Sequence, residues 1–151
     1  MIDRRALLAG LGLGLGASSS VLAAPKLETV EIVTMRGRQR FQVEIAATKA
    51  EQERGLMFRK SLAPDRGMLF TYKQPTRVSY WMRNTLIPLD IIYILPTGKI
   101  LSIARNARPL DETPLSSGGF ILGVLELAGG RAAQLGILPG DRVLHRIFPK
   151  G

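Results

Sequence analysis

Tyr80-Trp81-Met82-Arg83-Asn84-Thr85-Leu86-Ile87-Pro88-Leu89-Asp90 runs directly into Ile91-Ile92-Tyr93-Ile94-Leu95, and the reading of this stretch decides the fold class. Val78, Tyr80 and Met82 alternate with Ser79 and Trp81, which is the period of a strand. Pro88 has no amide hydrogen and bars a central strand position, so Leu86 to Leu89 reads as loop. After Asp90 the apolar residues stop alternating. That is the pattern of a strand covered on both faces. A loop rich in polar groups therefore lies between two strands, in a sheet that needs material on both sides.

Further along, Pro96-Thr97-Gly98 forms a tight turn, and Ile100 to Ala104 pairs back as a hairpin. Asn106 to Gly119 reads as a long polar loop, a class that is usually functional or mobile. Phe120 to Leu127 is a strand with Phe120, Leu122, Val124 and Glu126 on one face. Gly129-Gly130 opens a short helix through Leu135, which Gly136 can end in the left-handed conformation. Pro139-Gly140-Asp141 turns into a last strand from Val143 to Phe148, with His145 inside it.

On the N-terminal side, Thr29 to Thr34 and Phe41 to Ile45 alternate as two strands of a hairpin around Gly37. Thr48-Lys49-Ala50-Glu51 is a capping box, and a short helix follows from Lys49 to about Met57. Gly67-Met68-Leu69-Phe70 begins another buried run. These elements add up to one mainly β (β-rich α+β) domain over residues 24–151. The expected architecture is a compact sandwich or partly open barrel of about seven or eight short strands with two short helices.

Residues 1–23 belong to a different category. Asp3-Arg4-Arg5 precedes an apolar run from Ala6 to Ala17 that is too short to span a bilayer, then Val21-Leu22-Ala23. This is the pattern of a secretory signal peptide, so the domain is expected to be exported, periplasmic or secreted. The arginine pair resembles a twin-arginine signal, and an ordinary Sec signal fits the same residues.

Composition removes several chemistries. The chain has no cysteine and one histidine, which excludes disulfides, thiolate catalysis and a multi-histidine metal site. No metal site and no cofactor are expected. Met57, Met68 and Met82 could in principle offer thioethers to cuprous copper, but packing is the simpler reading of each. A net charge of +9 is carried without a block of consecutive basic residues, and aromatic residues make up 6%. This argues for a solvated basic surface and against a nucleic-acid partner. An anionic envelope component is the better partner for that charge, and contact with a membrane would come only through an uncleaved signal segment.

Two groups of residues carry chemistry. Trp81, Asn84, Thr85 and Asp90 combine a flat apolar face with three hydrogen-bonding groups, as a pocket for a polar small molecule or sugar requires. The same residues could equally tie down loop amides. Asp90 and Glu126 are carboxylates embedded in apolar runs. They could split acid and base roles, or be neutralised by Arg54 or Arg83 as architecture.

Arg54-Gly55-Leu56-Met57, Gly67-Met68-Leu69-Phe70, Trp81-Met82-x-Asn84-Thr85, Pro88-Leu89-Asp90 and Val124-Leu125-Glu126 together resemble the motifs of the bacterial and archaeal family called domain of unknown function 192. The resemblance covers roughly residues 29–148. It implies a small β-rich domain, often exported, with no established activity, substrate or cofactor. Its motifs fall on Arg54, Gly55, Met57, Gly67, Met68, Trp81, Met82, Asn84, Thr85, Asp90 and Glu126. The favoured functional reading is a binding module for a polar or glycan-like envelope ligand, with Trp81, Asn84, Thr85, Asp90, Glu126 and Arg54 as candidate ligand contacts. A hydrolase using Asp90 and Glu126, and a purely structural or interaction protein, are the alternatives. No catalytic residue is assigned.

Overall fold

A computed structural model describes residues 24–149; residues 1–23, which read as a signal peptide in the sequence, lie outside them. Nine strands and two short helices follow in the order β1 (Leu27–Thr34), β2 (Gly37–Ala46), α1 (Lys49–Arg54), β3 (Arg66–Thr76), β4 (Ser79–Tyr80), β5 (Leu89–Ile94), β6 (Ile100–Ala107), β7 (Leu115–Ser116), β8 (Ile121–Ala128), α2 (Arg131–Leu135) and β9 (Arg142–Leu144). Seven strands form one sheet in the order β6-β5-β8-β3-β2-β1-β9, and β4 pairs with β7 in a second, two-stranded sheet. The fold is mainly β, as the residue patterns predict.

Of the two expected arrangements the chain adopts the partly open barrel. The large sheet curls until its two edges meet, where Lys99 bridges Arg142. Val143 donates its amide to Gly98, and Ile100 to Asp141, each at 2.8 Å. Two hairpins, β1–β2 and β5–β6, form where alternation and turn residues place them. Two pairings cross the sequence. β2 runs parallel to β3, and β8 inserts between β3 and β5.

This order explains the unbroken apolar runs. β3, β5 and β8 are central strands with a core on each face. Leu69, Ile92, Ile94, Leu125 and Leu127 point inward with Val30, Phe41 and Val143. Met68, Phe70, Ile91, Tyr93 and Val124 point outward into a second core with Leu56, Met82 and Ile121. Met68 and Met82 are thus core fillers, the role their chemistry suits. α1, the segment after it and the β4–β7 sheet cover that outer core.

Several boundaries differ from the sequence reading. Thr48 and Glu51 form the expected capping box, but α1 stops at Arg54 with Gly55 as its C-cap. The expected strand around Tyr80 is only two residues long, because Met82 donates its amide to Asp111 and Thr85 to Met82, which turns the chain. Residues 106–119 are not one loop: β6 extends to Ala107 and β7 breaks the remainder. β3 carries Pro75 in the interval between Thr71 and Thr76 where its register with β8 shifts, which is where a residue without an amide hydrogen is tolerated. The last strand is three residues, so His145 follows it rather than lying within it.

Candidate functional site

Asp90 answers a structural need. Its side chain is buried, and one carboxylate oxygen accepts from the amides of Asn106 (2.7 Å) and Gly130 (3.1 Å), the other from Ala132 (2.7 Å). Gly130 occupies the N-cap of α2 and has no side chain to cap it. Asp90 supplies that function from another strand, and at the same time ties down the end of β6. It does not line the cleft described below, so the fold sets it apart from the other candidate contacts.

Glu126 stands at the opposite end of the comparison. It pairs with Ile91 and Met68 across the sheet, so it faces the outer core. The residue is 5% exposed, and its carboxyl makes no hydrogen bond or ion pair among the described residues. Burial pushes its pKa up to about 8, so the carboxyl is mostly protonated at neutral pH. His145 Nδ1 is the single side-chain polar atom fully sealed from solvent and without a partner among the described residues. The Glu126 oxygens, also unpartnered, therefore reach open space.

That space is a cleft of about 590 Å³ between α1 with its following turn, β3, β4 and the turn after β4. Glu126 lies on its floor. Phe70, Tyr72 and Tyr80 form aromatic walls, Leu56 and Met57 line one side, and Lys49, Glu53, Arg54, Trp81 and Arg83 also line it. The Tyr72 and Tyr80 hydroxyls pair at 2.9 Å, and Tyr93 beneath them donates to the Leu115 carbonyl. Burial raises the pKa of all three tyrosines, which stay protonated. Gln52 donates its side-chain amide to the Thr71 carbonyl at 2.9 Å, which fixes α1 against β3.

The rim is built around the turn at Met82 to Thr85. Trp81 is 46% exposed, and the Arg83 guanidinium lies 4.3 Å from its ring centroid. Arg83 is held there by Glu112 at 2.8 Å. Thr85 is buried and donates its hydroxyl to the Arg83 carbonyl at 3.1 Å. Asn84 adopts a left-handed backbone at φ 53, its carbonyl accepts from the Phe58 amide, and its side chain reaches only the Met57 sulfur. Phe58 and Leu110, both at φ 63, occupy the same unusual region on the neighbouring segments. Three non-glycine residues in this conformation, on segments hydrogen-bonded to one another, mark a locally constrained backbone beside the cleft.

Of the candidate contacts, the fold brings Trp81, Thr85, Arg54 and Glu126 to one cleft and leaves Asn84 and Asp90 outside its lining. Asp90 and Glu126 leave the sheet on opposite faces, so these two carboxyls do not form an acid–base pair with each other. Tyr72, Tyr80, Phe70 and Arg83 line the cleft without having been singled out as contacts. Phe70 and Tyr80 lie in apolar runs whose pattern is that of ordinary core, and Tyr72 follows such a run with no pattern of its own.

Residues 31–145 match the family domain of unknown function 192, described as "Uncharacterized ACR". No curated protein matches the chain. A protein of unknown function from Novosphingobium aromaticivorans DSM 12444 is 46% identical with a TM-score of 0.80, over 83% of this chain and 89% of its own. A protein from Sinorhizobium meliloti 1021, described as a "putative transcription regulator", is 39% identical with a TM-score of 0.76, over 78% of this chain and 92% of its own. With its five motifs in order across the matched region, the chain is a member of the domain of unknown function 192 family.

Proposed function

We propose that this protein is an exported binding module whose cleft takes a small polar or glycan-like molecule of the cell envelope. The observation that carries this reading is Glu126, a carboxyl on the floor of an aromatic-walled cleft, with no partner among the described residues. Buried polar groups are nearly always hydrogen-bonded, and an unpartnered one aimed into a cleft is a place for a ligand atom. Trp81 at the rim offers the flat apolar face against which a sugar ring or similar molecule packs. The signal-like segment at residues 1–23 supports an envelope location.

Trp81 is the chain's one tryptophan, so its fluorescence reports on the cleft directly. Titration with monosaccharides, amino sugars and cell-wall fragments is expected to change the Trp81 emission saturably for at least one class. Trp81→Ala is expected to remain folded, because the side chain is half exposed, and to bind that ligand at least about tenfold more weakly. A folded protein that responds to none of them would overturn the proposal.

A further inference from the structure

The charged groups of the cleft are sorted by depth. Glu126 is alone on the floor. Cations gather where the cleft opens, and they differ in how far they are already engaged. Lys49 pairs with Glu53 at 3.7 Å and Arg83 with Glu112 at 2.8 Å. Arg54, on the last turn of α1, lines the cleft and has no ion pair among the described residues. A carboxyl without a counter-ion and a guanidinium without a counter-ion thus share one cavity.

We propose that the ligand of this cleft is a small zwitterion, with a primary ammonium group that pairs with Glu126 and an anionic group that meets Arg54. This rests on reading the cleft as a ligand site and specifies what enters it. The floor favours an ammonium for three reasons. No neighbouring hydroxyl donates to Glu126: Tyr93 donates to Leu115, Thr85 to Arg83, and one of Tyr72 and Tyr80 to the other. The carboxyl offers acceptors, and an ammonium brings three donors together with the opposite charge. The remaining walls are Phe70 and tyrosine rings, whose faces attract a cation.

The titratable and charged groups that face Glu126 are Tyr72 from β3, Tyr80 from β4 and Tyr93 from β5, with Lys49, Glu53 and Arg54 from α1 and Arg83 from the turn completing the cleft. No protein cation lowers the Glu126 pKa; burial alone sets it. Entry of an ammonium therefore converts Glu126 from carboxylic acid to carboxylate, and the displaced proton leaves to solvent. Well below pH 8 the cleft exchanges close to one proton for each ammonium bound, and the release falls towards zero as pH rises through that value.

The test uses 6-aminohexanoate, hexylamine and hexanoate as probes, whose ammonium and carboxylate groups keep their charge across the range. Trp81 emission and titration calorimetry in two buffers of different ionisation enthalpy would be read at about pH 6.5 and about pH 9. The expected result is that 6-aminohexanoate binds at least about tenfold more tightly than hexanoate, with proton release near one at the lower pH and near zero at the higher. Glu126→Gln is expected to abolish the advantage of the two amines while leaving hexanoate unchanged, and Arg54→Ala to remove the advantage of 6-aminohexanoate over hexylamine. Equal binding of 6-aminohexanoate and hexanoate, or an amine preference that survives in Glu126→Gln, would overturn the inference. If neutral sugars bind and the amines do not, the zwitterion falls and the cleft remains a ligand site; if a folded protein binds neither, both fall.

Discussion

Asp90 and Glu126 stand one register position apart on neighbouring strands, yet their side chains leave the sheet on opposite faces. Asp90 pairs with Leu127 and Ile91 with Glu126, so the two carboxyls are separated by the pleat itself. One carboxylate receives three backbone amides and holds the start of α2. The other receives none and faces the cleft. Two acids that look alike in sequence thus have opposite environments.

Asp90→Ala leaves three backbone amides without an acceptor, the one at Ala132 in a fully buried bond. The expected cost is about 2–5 kcal/mol, since unsatisfied buried donors retain their full desolvation penalty. Asp90→Asn keeps the shape and an acceptor oxygen and is expected to cost less. Urea denaturation of the two variants checks both the size and the order; equal stability to the parent in both would contradict the capping role.

Glu126 sets a pH dependence of stability. Its folded pKa lies near 8, above the value of about 4.5 in an unfolded chain. Between those two values the folded protein holds a proton that the unfolded chain has released, so stability falls as pH rises through the window. The fall is at most about 1.4 kcal/mol per pH unit. Glu126→Gln cannot ionise, and thermal melts of this variant between about pH 5 and about pH 9 are expected to lose this component and to exceed the parent's Tm at the alkaline end.

Gly67 is required by contact rather than by backbone conformation. A Cβ there would lie 2.5 Å from the Glu126 carbonyl oxygen and 2.9 Å from the Leu127 Cδ2. β3 and β8 are both central strands, so neither can withdraw without disturbing two cores. Gly67→Ala is expected to lower stability by about 2 kcal/mol or more, measurable as a reduced denaturation midpoint with unchanged slope.

Asn84 separates backbone from side-chain roles. Its φ of 53 suits Asn or Gly, and its carbonyl accepts from Phe58. Asn84→Gly is expected to stay within about 0.5 kcal/mol of the parent and to bind ligands equally, while the β-branched Asn84→Val is expected to cost about 1–3 kcal/mol. Loss of binding in the folded Asn84→Gly protein would show that the amide contacts the ligand.

The sequence by itself determined the elements whose information is local. The alternation in β1 and β2, the turn at Pro96-Thr97-Gly98 and the Thr48–Glu51 capping box each lie within a few residues, and each forms as read. The unbroken apolar run at Ile91 to Ile94 likewise announced a strand covered twice, because burial on both faces removes any reason for alternation. Only the tertiary structure decided which strands are neighbours. The parallel pairing of β2 with β3 and the insertion of β8 between β3 and β5 join segments whose patterns are compatible with many partners. That order fixes the site. Asp90 finds amides up to 42 residues away, and Glu126 shares one cleft with Tyr72, Tyr80, Trp81 and Arg54, from elements that no spacing rule connects. A period of two residues states that a side chain faces one side of a sheet. It does not state what waits there, and for the stretch from Tyr80 to Asp90 that is the difference between a capping carboxylate and an open cleft.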